Sequence, residues 1–465
     1  MRSTKSNSMS NTKISIQFLG AAGTVTGSKH LLKTPEKNIL IDCGLFQGIK
    51  SLRLKNREPL PVDEKTIDIL LLTHAHLDHC GYIPLFVKNG FKGKILMTPP
   101  TRDLVEIILR DSAKIQEEEA RKANEEGYSK HSPAIPLYTE KDVEIALKHF
   151  EIRHDIDWVP ISENISFRYL KNGHILGSAF IEMKCFGRKI VFTGDIGRTE
   201  NALLAAPSVI EEADCLIMES TYGDRLHPAG DPADELEEII LHTLEKGGTL
   251  LIPSFAVERA QELMFIINKL KQEKRIPNLP VYLDSPMGTD TTDIFMNHPN
   301  WHKLNPTETY SICKHTQFIR DFQETLKLIK DNKPKIIIAA SGMLTGGRVL
   351  SYLSVLGKDS KNTVLLVGFQ GEGTRGRALK EGIKEIKLHG KYYQIEAEIM
   401  NISSMSGHAD QLEMINWLKK FKKKPKQLFM VHGEPQAQNI FRVKIKDELA
   451  INATIPQLYE EFSID

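Results

Sequence analysis

The chain has 465 residues and a formal net charge of +1; 41% of its residues are hydrophobic and 26% are charged. This length favours two or three domains, and the composition is typical of a globular protein rather than a disordered or fibrous one. Because positive and negative charges balance, no overall field draws the molecule to nucleic acid or membranes, so an anionic substrate must be bound locally. No apolar run approaches the roughly 18 residues that a membrane helix needs.

The first 13 residues are rich in Ser, Asn and Lys and lack the apolar stretch of a signal peptide. We predict a disordered tail over residues 1–13 and a cytoplasmic protein that does not contact membranes. The five cysteines are odd in number and scattered, which indicates reduced thiols rather than a disulfide framework.

Strands dominate the chain after this tail. Apolar runs predict strands at residues 14–20, 68–73 and 94–97, followed by a long helix from Thr101 to about Glu126. Four later strands end where polar residues cluster. Their sequences are ISFRYL, AFIEMKC, KIVFTGD and DCLIMES.

After Ser220 the predicted helices and strands alternate regularly, which favours a parallel sheet flanked by helices and indicates a second domain. The segment from about Ala397 contains one predicted helix and one predicted strand. It is too short to form a core of its own, so we expect it to return to the first domain.

Three histidines and an aspartate are concentrated in HAHLDH, residues 74–79, directly after an apolar strand. Side chains of alternate residues in an extended segment project to the same side. His74 and His76 can therefore converge on one cation, while Asp78 and His79 reach a neighbouring one. Neutral imidazole and carboxylate groups suit Zn²⁺ particularly well.

Further candidate ligands stand at the ends of other predicted strands: His174 in GHILGS, Asp195 in FTGDIG and His432 in FMVHGE. Asp195 has two carboxylate oxygens and could bridge two ions. Taken alone, each of these residues could be an ordinary turn or capping residue. Together with the HAHLDH segment they predict a centre for two metal ions.

The pattern HxHxDH at residues 74–79 resembles the signature of the metallo-β-lactamase superfamily. DCG at residues 42–44, GHILGS and FTGDIG are similar to further motifs of that superfamily. Within it the chain resembles the β-CASP nucleases, because ESTYG with Glu219, SGHAD with His408 and VHGE with His432 match three later motifs. The resemblance covers nearly the whole chain and is strongest to compact prokaryotic members similar to the mRNA 3′-end-processing endonuclease.

This resemblance implies an α/β fold, in which a β-CASP domain built on a mainly parallel sheet is inserted into an αββα metallo-β-lactamase sandwich. The sandwich would comprise residues 14–222 and a C-terminal return at residues 399–465, with the β-CASP domain at residues 223–398. The active site is expected in the cleft between the two domains.

The resemblance also implies two Zn²⁺ ions per chain. The ligands of the first ion would be His74, His76, His174 and Asp195. The ligands of the second would be Asp78, His79, Asp195 and His432.

Other roles follow from the same resemblance. Asp42 would orient the loop that carries the ligands. The catalytic residues would be Asp78, Glu219 and His408. His408 would donate a proton to the leaving 3′ oxygen, and Glu219 would hold the imidazole of His408.

Two Gly-rich segments, residues 341–348 and 368–377, could cradle substrate phosphates, although tight turns explain their glycines equally well. The candidates for phosphate contacts are Ser341, Arg348, Arg375 and Arg377. Glu258 and Arg259 are interpreted as residues at the start of a helix.

The predicted function is zinc-dependent hydrolysis of phosphodiester bonds in single-stranded RNA, with endonucleolytic cleavage as the first expectation. His432 favours RNA over DNA, since a histidine in this motif accompanies the RNA-cleaving members of the family. The resemblance also allows a homodimer. The alternatives are a 5′–3′ exoribonuclease, a metallo-hydrolase of small esters or thioesters, and a non-catalytic scaffold in RNA processing.

Overall fold

The computed structural model of the chain describes residues 13–127, 132–154, 156–402 and 404–465. The tail predicted for residues 1–13 lies outside these residues except for Lys13. Within the described part, the strands form two seven-stranded sheets, one six-stranded sheet and one two-stranded sheet.

The strands are numbered along the chain. They are β1 (Ser15–Phe18), β2 (His30–Lys33), β3 (Asn38–Ile41), β4 (Ile69–Leu71), β5 (Lys94–Met97), β6 (Phe150–Ile152), β7 (Val159–Pro160), β8 (Ile165–Lys171), β9 (Ala179–Cys185), β10 (Arg188–Phe192), β11 (Cys215–Glu219), β12 (Leu250–Pro253), β13 (Val281–Asp284), β14 (Gln317–Phe318), β15 (Ile336–Ala339), β16 (Thr363–Val367), β17 (Glu385–Leu388), β18 (Lys391–Gln394), β19 (Glu398–Ile402), β20 (Gln427–Val431), β21 (Ala453–Thr454) and β22 (Glu461–Ser463).

The α-helices are numbered in the same way. They are α1 (Lys50–Lys55), α2 (Leu77–Cys80), α3 (Ile83–Lys88), α4 (Pro99–Glu126), α5 (Glu140–Leu147), α6 (Pro232–Glu245), α7 (Arg259–Gln272), α8 (Pro286–Asn297), α9 (Pro306–Lys314), α10 (Phe322–Lys330), α11 (Val349–Leu356), α12 (Arg375–Lys380), α13 (Gln411–Leu418) and α14 (Pro435–Leu449). Short 3₁₀ turns lie at Glu64–Thr66 and Pro299–Trp301.

Two sheets pack face to face in the first part of the fold. The first has the strand order β22-β1-β2-β3-β4-β5-β6, and the second has the order β21-β20-β11-β10-β9-β8-β7. The strand β10 has apolar side chains on both faces. Ile190 and Phe192 point into the core shared by the sheets, whereas Val191 points into the core under the outer helices. A strand buried on both faces needs such a continuous apolar run.

Helices cover the outer face of each of these sheets. Phe86 of α3 and Leu104 of α4 belong to the same buried cluster as Leu70 of β4. On the other side, Trp417 of α13 and Phe441 of α14 pack in one cluster with Val191. The four layers form an αββα sandwich, which confirms the predicted fold class.

The third large sheet has the order β14-β13-β15-β12-β16-β19, and all its strand pairs are parallel. Leu263 of α7 packs in the cluster on one face, and Leu353 of α11 packs in the cluster on the other. A parallel sheet flanked by helices is therefore confirmed. The pairing of β19 with β16 extends this sheet to Ile402, a few residues past the predicted boundary at residue 398.

The chain returns to the sandwich after the third sheet. β20 pairs in parallel with β11, and Glu219 stands opposite Val431 in that pair. β22 pairs antiparallel with β1 near the other end of the chain. The sequence on both sides of the third sheet is thus needed to complete the two sheets of the sandwich.

The long helix α4 belongs to the sandwich and contacts the part of the chain that forms the third sheet. It begins at two prolines, Pro99 and Pro100, and is followed by Gly127, whose φ of +65° suits a helix end. The predicted range, Thr101 to about Glu126, agrees closely with this helix. Asp103 of α4 pairs with the His298 imidazole, directly after α8, at 2.8 Å. Among the described residues, no helix is long and apolar enough to cross a membrane.

Candidate metal centre

The predicted ligands lie where strands of both sandwich sheets end. His74 and His76 follow β4 of the first sheet. His174, Asp195 and His432 follow β8, β10 and β20 of the second sheet. Because the two sheets pack face to face, these strand ends meet at one edge of the sandwich.

Two glycines allow the loops at this edge to approach each other. A Cβ atom on Gly44, in the DCG motif, would lie 1.5 Å from the carbonyl oxygen of Asp78. A Cβ atom on Gly197 would lie 2.0 Å from the carbonyl oxygen of Gly173. Any larger residue would push these loops apart. The DCG and FTGDIG motifs therefore require glycine at residues 44 and 197 for steric reasons.

The first group of ligands brings together His74, His76, His174 and Asp195, whose ligand atoms all lie within 4.8 Å of one another. His76 Nδ1 is 3.1 Å from the Nε2 atoms of both other histidines. Asp195 Oδ2 is 3.5 Å from His74 Nε2 and 3.4 Å from His174 Nε2. Four tetrahedral ligands of zinc are roughly 3.3 Å apart, so these separations match.

The second group brings together Asp78, His79 and His432. The His432 imidazole is 3.2 Å from Asp78 Oδ2, and His79 Nε2 is 3.9 Å from the same oxygen. Asp195 Oδ1 lies 3.3 Å from His79 Nε2. Asp195 therefore turns one oxygen toward each group.

Two buried polar atoms in the ligand groups have no hydrogen-bond partner in the described part of the chain, which shows whether the groups suit a metal ion. His79 Nε2 and Asp195 Oδ1 are buried and have no hydrogen-bond partner among the described residues. Leaving a buried polar atom unpaired costs about 1–3 kcal/mol. Both atoms face the same space, and a cation there would satisfy them, so the donor set fits the predicted metals.

Asp42 fixes the orientation of the His79 ring. Its carboxylate accepts the N–H and the hydroxyl of Thr73, both at 2.8 Å, and lies 2.7 Å from His79 Nδ1. Since a carboxylate accepts, Nδ1 carries a proton, which leaves Nε2 as the ring nitrogen that can bind a metal ion. The structure thus places Asp42 where the sequence predicted an orienting residue.

The protonation states around this space favour cation binding. Burial, supported by neighbouring histidines, holds the pKa of His74 and His174 well below the ordinary value, so both imidazoles are neutral. Burial alone would raise the pKa of Asp195, but His432 and His79 outweigh burial and hold this pKa well below its ordinary value. The neutral imidazoles of His74 and His174 beside the ionised carboxylate of Asp195 are ligand types that suit Zn²⁺.

Glu219 and His408 form a pair beside the ligands. His408 Nδ1 is 3.0 Å and 3.2 Å from the two oxygens of Glu219, which is fully buried at the end of β11. The His408 ring centroid is 4.6 Å from that of His174. Burial lowers the pKa of His408, but the charge and hydrogen bond of Glu219 outweigh burial and raise it to about 9. His408 is therefore protonated at neutral pH.

Loops of the third sheet face this edge of the sandwich. The Phe255 ring, just after β12, lies 6.5 Å from the His76 ring. The Phe369 ring, after β16, lies 6.0 Å from the Tyr222 ring. Both loops leave the carboxyl ends of parallel strands, where ligands of such sheets commonly bind.

Two of the residues predicted to contact phosphate, Arg348 and Ser341, form hydrogen bonds within the protein. Arg348 Nη1 donates to the buried carboxylate of Asp284 at 2.6 Å. The hydroxyl oxygen of Ser341 accepts the backbone N–H of Thr345 at 3.0 Å. These contacts stabilise the loop after β15, and phosphate binding by either residue stays a prediction.

The two other arginines are also engaged. Arg375 donates to the carbonyl oxygens of Leu344 at 2.9 Å and Lys387 at 2.7 Å. Arg377 donates to the carboxylate of Glu381, the residue directly after α12. The structure does not bring either guanidinium into the ligand groups, and contact of either arginine with substrate stays a prediction.

Sequence reasoning missed two aromatic side chains beside His408. The Tyr222 ring lies edge-on to the rings of His408 and His227, at 6.1 Å and 5.3 Å. Tyr222 belongs to the ESTYG motif and could have been singled out there, but His227 has no spacing that indicates a ligand. The predicted helix start is confirmed, since α7 begins at Arg259.

Comparison with protein families matches three segments of the chain. Residues 24–246 match the metallo-beta-lactamase superfamily, residues 260–379 match the Beta-Casp domain, and residues 392–456 match a Zn-dependent metallo-hydrolase RNA specificity domain. Ribonuclease TTHA0252 of Thermus thermophilus is 34% identical over 90% of this chain and 92% of its own length. The chain belongs to the β-CASP family of RNA-processing nucleases.

Membership of this family makes the chain a metal-dependent hydrolase. Further relatives support the same assignment. An RNase J-like protein of Methanocaldococcus jannaschii is 35% identical over 95% of this chain and 97% of its own. Transcription termination factor FttA of the same organism is 33% identical over 90% of this chain and 67% of its own. The crystal structure of a protein of unknown function from Enterococcus faecalis V583 shares the fold, with a TM-score of 0.54 at 12% identity over 97% of this chain and 100% of that one.

Proposed function

We propose that the chain is a zinc-dependent ribonuclease that cleaves single-stranded RNA endonucleolytically. The observation that carries the proposal is the position of the His408–Glu219 pair beside two ligand groups that share Asp195. Relatives named as a ribonuclease and an RNase J-like protein, together with the match to an RNA specificity domain, support RNA as the substrate.

Two Zn²⁺ ions are proposed, one in each ligand group. The first group consists of His74, His76, His174 and Asp195. The second consists of Asp78, His79 and His432, with Asp195 as the shared residue. Bound zinc would supply Lewis acidity for activating water and for offsetting charge on the phosphate.

His408 is proposed to donate a proton to the leaving 3′ oxygen. Its Nδ1–H is held by Glu219, so Nε2–H is the proton available to substrate. Charge develops on the leaving oxygen as the P–O bond breaks, and a protonated imidazole offsets it. The products would be a 5′-phosphate and a 3′-hydroxyl.

Asp78 and Asp42 complete the proposed machinery. Asp78 would hold the second ion on the more exposed side, since its side chain is 17% exposed whereas Asp195 is 1% exposed. Asp42 would keep the His79 ring oriented through its contact with Nδ1.

Circular RNA tests the endonucleolytic reaction directly. A circular single strand has no end for an exonuclease, so we expect the protein to linearise it and to leave a 5′-phosphate on each fragment. Elemental analysis of the same preparation should find about two zinc ions per chain. An intact circle beside a degraded linear RNA would favour the 5′–3′ exonuclease, and a lack of transition metal with chelator-resistant cleavage would exclude the zinc chemistry.

His76→Ala provides the matched control for that assay, because it removes one ligand of the first group without touching the His408–Glu219 pair. The zinc content should fall and cleavage should be lost together.

A homodimer and a cytoplasmic location stay predictions of the sequence. Light scattering of the purified protein would measure the oligomeric state.

A further inference from the structure

The main chain on both sides of His408 is held by contacts with other parts of the chain. The carbonyl oxygen of Gly407 lies 3.2 Å from Nδ1 of the His174 imidazole. The N–H of Ala409 donates to the carbonyl oxygen of Ile196 at 2.7 Å, and the N–H of His408 lies 3.3 Å from the hydroxyl of Ser406. The carbonyl oxygen of His408 lies 2.9 Å from Nε2 of the His227 imidazole. An imidazole from another part of the chain thus bonds directly to the peptide that carries His408.

The chemistry of this contact fixes the tautomer of His227. A carbonyl oxygen only accepts hydrogen bonds, so Nε2 of His227 must carry the proton. The imidazole is 6% exposed, which excludes most of the water that could replace it. Removing the His227 imidazole would leave the carbonyl oxygen of His408 with one hydrogen bond fewer at a position that little water reaches.

His227 is itself firmly held. Its backbone N–H donates to Asp410 Oδ2 at 2.8 Å, and its ring lies edge-on to Tyr222. Asp410 and Glu413 also accept backbone N–H groups at the start of α13. His227, Asp410 and Glu413 are close enough to hold a cation, but both carboxylates are already used to cap the helix.

We propose that His227 is a positioning residue, which holds the main chain of His408 so that its imidazole stands between Glu219 and the ligand groups. This inference rests on the proposed function, because it concerns proton donation by His408. His227 touches neither the ligands nor the reacting atoms, and it acts only through the peptide of His408. It should therefore affect the step in which the leaving oxygen takes a proton, and not zinc binding or RNA affinity.

The test compares variants with and without a donor at this position. Gln in His227→Gln can place an amide N–H near the position of Nε2, whereas Leu in His227→Leu has no donor. We expect His227→Leu to lower kcat on ordinary RNA by about 10-fold or more, with KM and zinc content unchanged, since loss of general acid catalysis costs roughly 10²–10⁴-fold. His227→Gln should recover most of the rate. If the Leu variant does not fold, His227→Asn replaces it, because its amide is too short to reach the carbonyl.

A substrate with sulfur in place of the leaving 3′ oxygen separates positioning from general structural damage. A thiolate leaves without needing a proton, so the rate of the Leu variant on this RNA should be close to that of the unmodified protein. Equal losses on both substrates would show a structural role and overturn the proposal, as would an unchanged rate on ordinary RNA. If His408→Ala cleaves ordinary RNA at full rate, the proposed function of His408 fails and the role of His227 fails with it.

Discussion

Asp195 and Asp42 show how single carboxylates organise this site. Asp195 turns one oxygen toward each ligand group, and Asp42 fixes the proton of His79 on Nδ1. Both carboxylates are almost fully buried. Buried polar atoms nearly always have a hydrogen-bond partner or bind an ion, so the unpaired Oδ1 of Asp195 is where a metal ion is expected.

His408→Ala should separate proton donation from metal binding. His408 is absent from the ligand groups, so zinc content should stay near two ions per chain while kcat falls by roughly 10²–10⁴-fold. Elemental analysis and single-turnover cleavage of labelled RNA measure the two effects. A variant that has lost one zinc ion would identify His408 as a ligand instead.

Glu219→Gln should change the pH dependence of the reaction. The reactive form of His408 is protonated, and the charge and hydrogen bond of Glu219 outweigh burial and raise its pKa, so the rate should fall as the pH rises through that pKa. Replacing the Glu219 carboxylate with an amide removes the negative charge, lowers the pKa of His408 and moves this alkaline limb to lower pH. The measurement is kcat/KM over roughly pH 6 to 10. The exposed Glu211→Gln is the control; an identical alkaline limb in both variants would contradict the role of Glu219.

The candidate ligands were predictable from sequence because most of the information is local. HAHLDH places four candidate ligands within six residues, and the other three follow predicted strands. The arginines were less predictable, because their partners are distant in sequence: Arg348 pairs with Asp284, 64 positions earlier. His227 was missed for the same reason, since its contact with His408 spans 181 positions.

The loops after the strands, rather than the strands themselves, set the spacing of the site. The DCG loop after β3 lies so close to the HAHLDH loop that Gly44 has no room for a side chain. The strand positions follow from apolar runs that sequence analysis detects, but the distance between two loops depends on tertiary packing. The parallel third sheet was predictable, and its last strand, β19, was not.

Gly44→Ala should disturb the second ligand group. The added Cβ would lie 1.5 Å from the Asp78 carbonyl oxygen, so the loop must move away. We expect a loss of about 1–3 kcal/mol in the free energy of unfolding, as for other overpacked sites, together with a lower zinc content. Gly346→Ala is the control for stability and zinc content, because nothing lies within 4 Å of its added Cβ. Thermal unfolding and elemental analysis provide the measurements, and a zinc content equal to that of the control would contradict the expected displacement of Asp78.

At the scale of the whole molecule, the sandwich and the third sheet face each other across the ligand groups. Phe255 and Phe369 approach from the third sheet, while the ligands come from the sandwich. We therefore expect substrate to enter between the sandwich and the third sheet.

Single-stranded RNA should be cleaved faster than the stem of a stable hairpin. A duplex is wider than a single strand and must open before its backbone can enter the cleft. The measurement uses one RNA with a stem and an unpaired stretch of matched sequence, mapped at nucleotide resolution. Equal cleavage in both regions would contradict entry of a single strand.

RNA should also be preferred over DNA, as His432 predicts from the resemblance. A metal ligand does not read a 2′-hydroxyl, so the preference must come from polar groups near the substrate. Single-stranded RNA and DNA of matched sequence should be compared by kcat/KM at one salt concentration, because phosphate contacts depend strongly on salt. Equal values for both polymers would overturn this preference and leave the metal chemistry intact.

The return of the chain to the sandwich has a consequence for biosynthesis. The hydroxyl of Ser15 in β1 donates to the carboxylate of Glu461 in β22, a separation of 446 positions. Domains fold during translation as their sequences leave the ribosome, and the third sheet is encoded in one continuous stretch. The sandwich lacks β20 and His432 until the chain that follows the third sheet has been made. A nascent chain that has not reached His432 therefore has an incomplete second ligand group, and nuclease activity should arise only after that residue has been made.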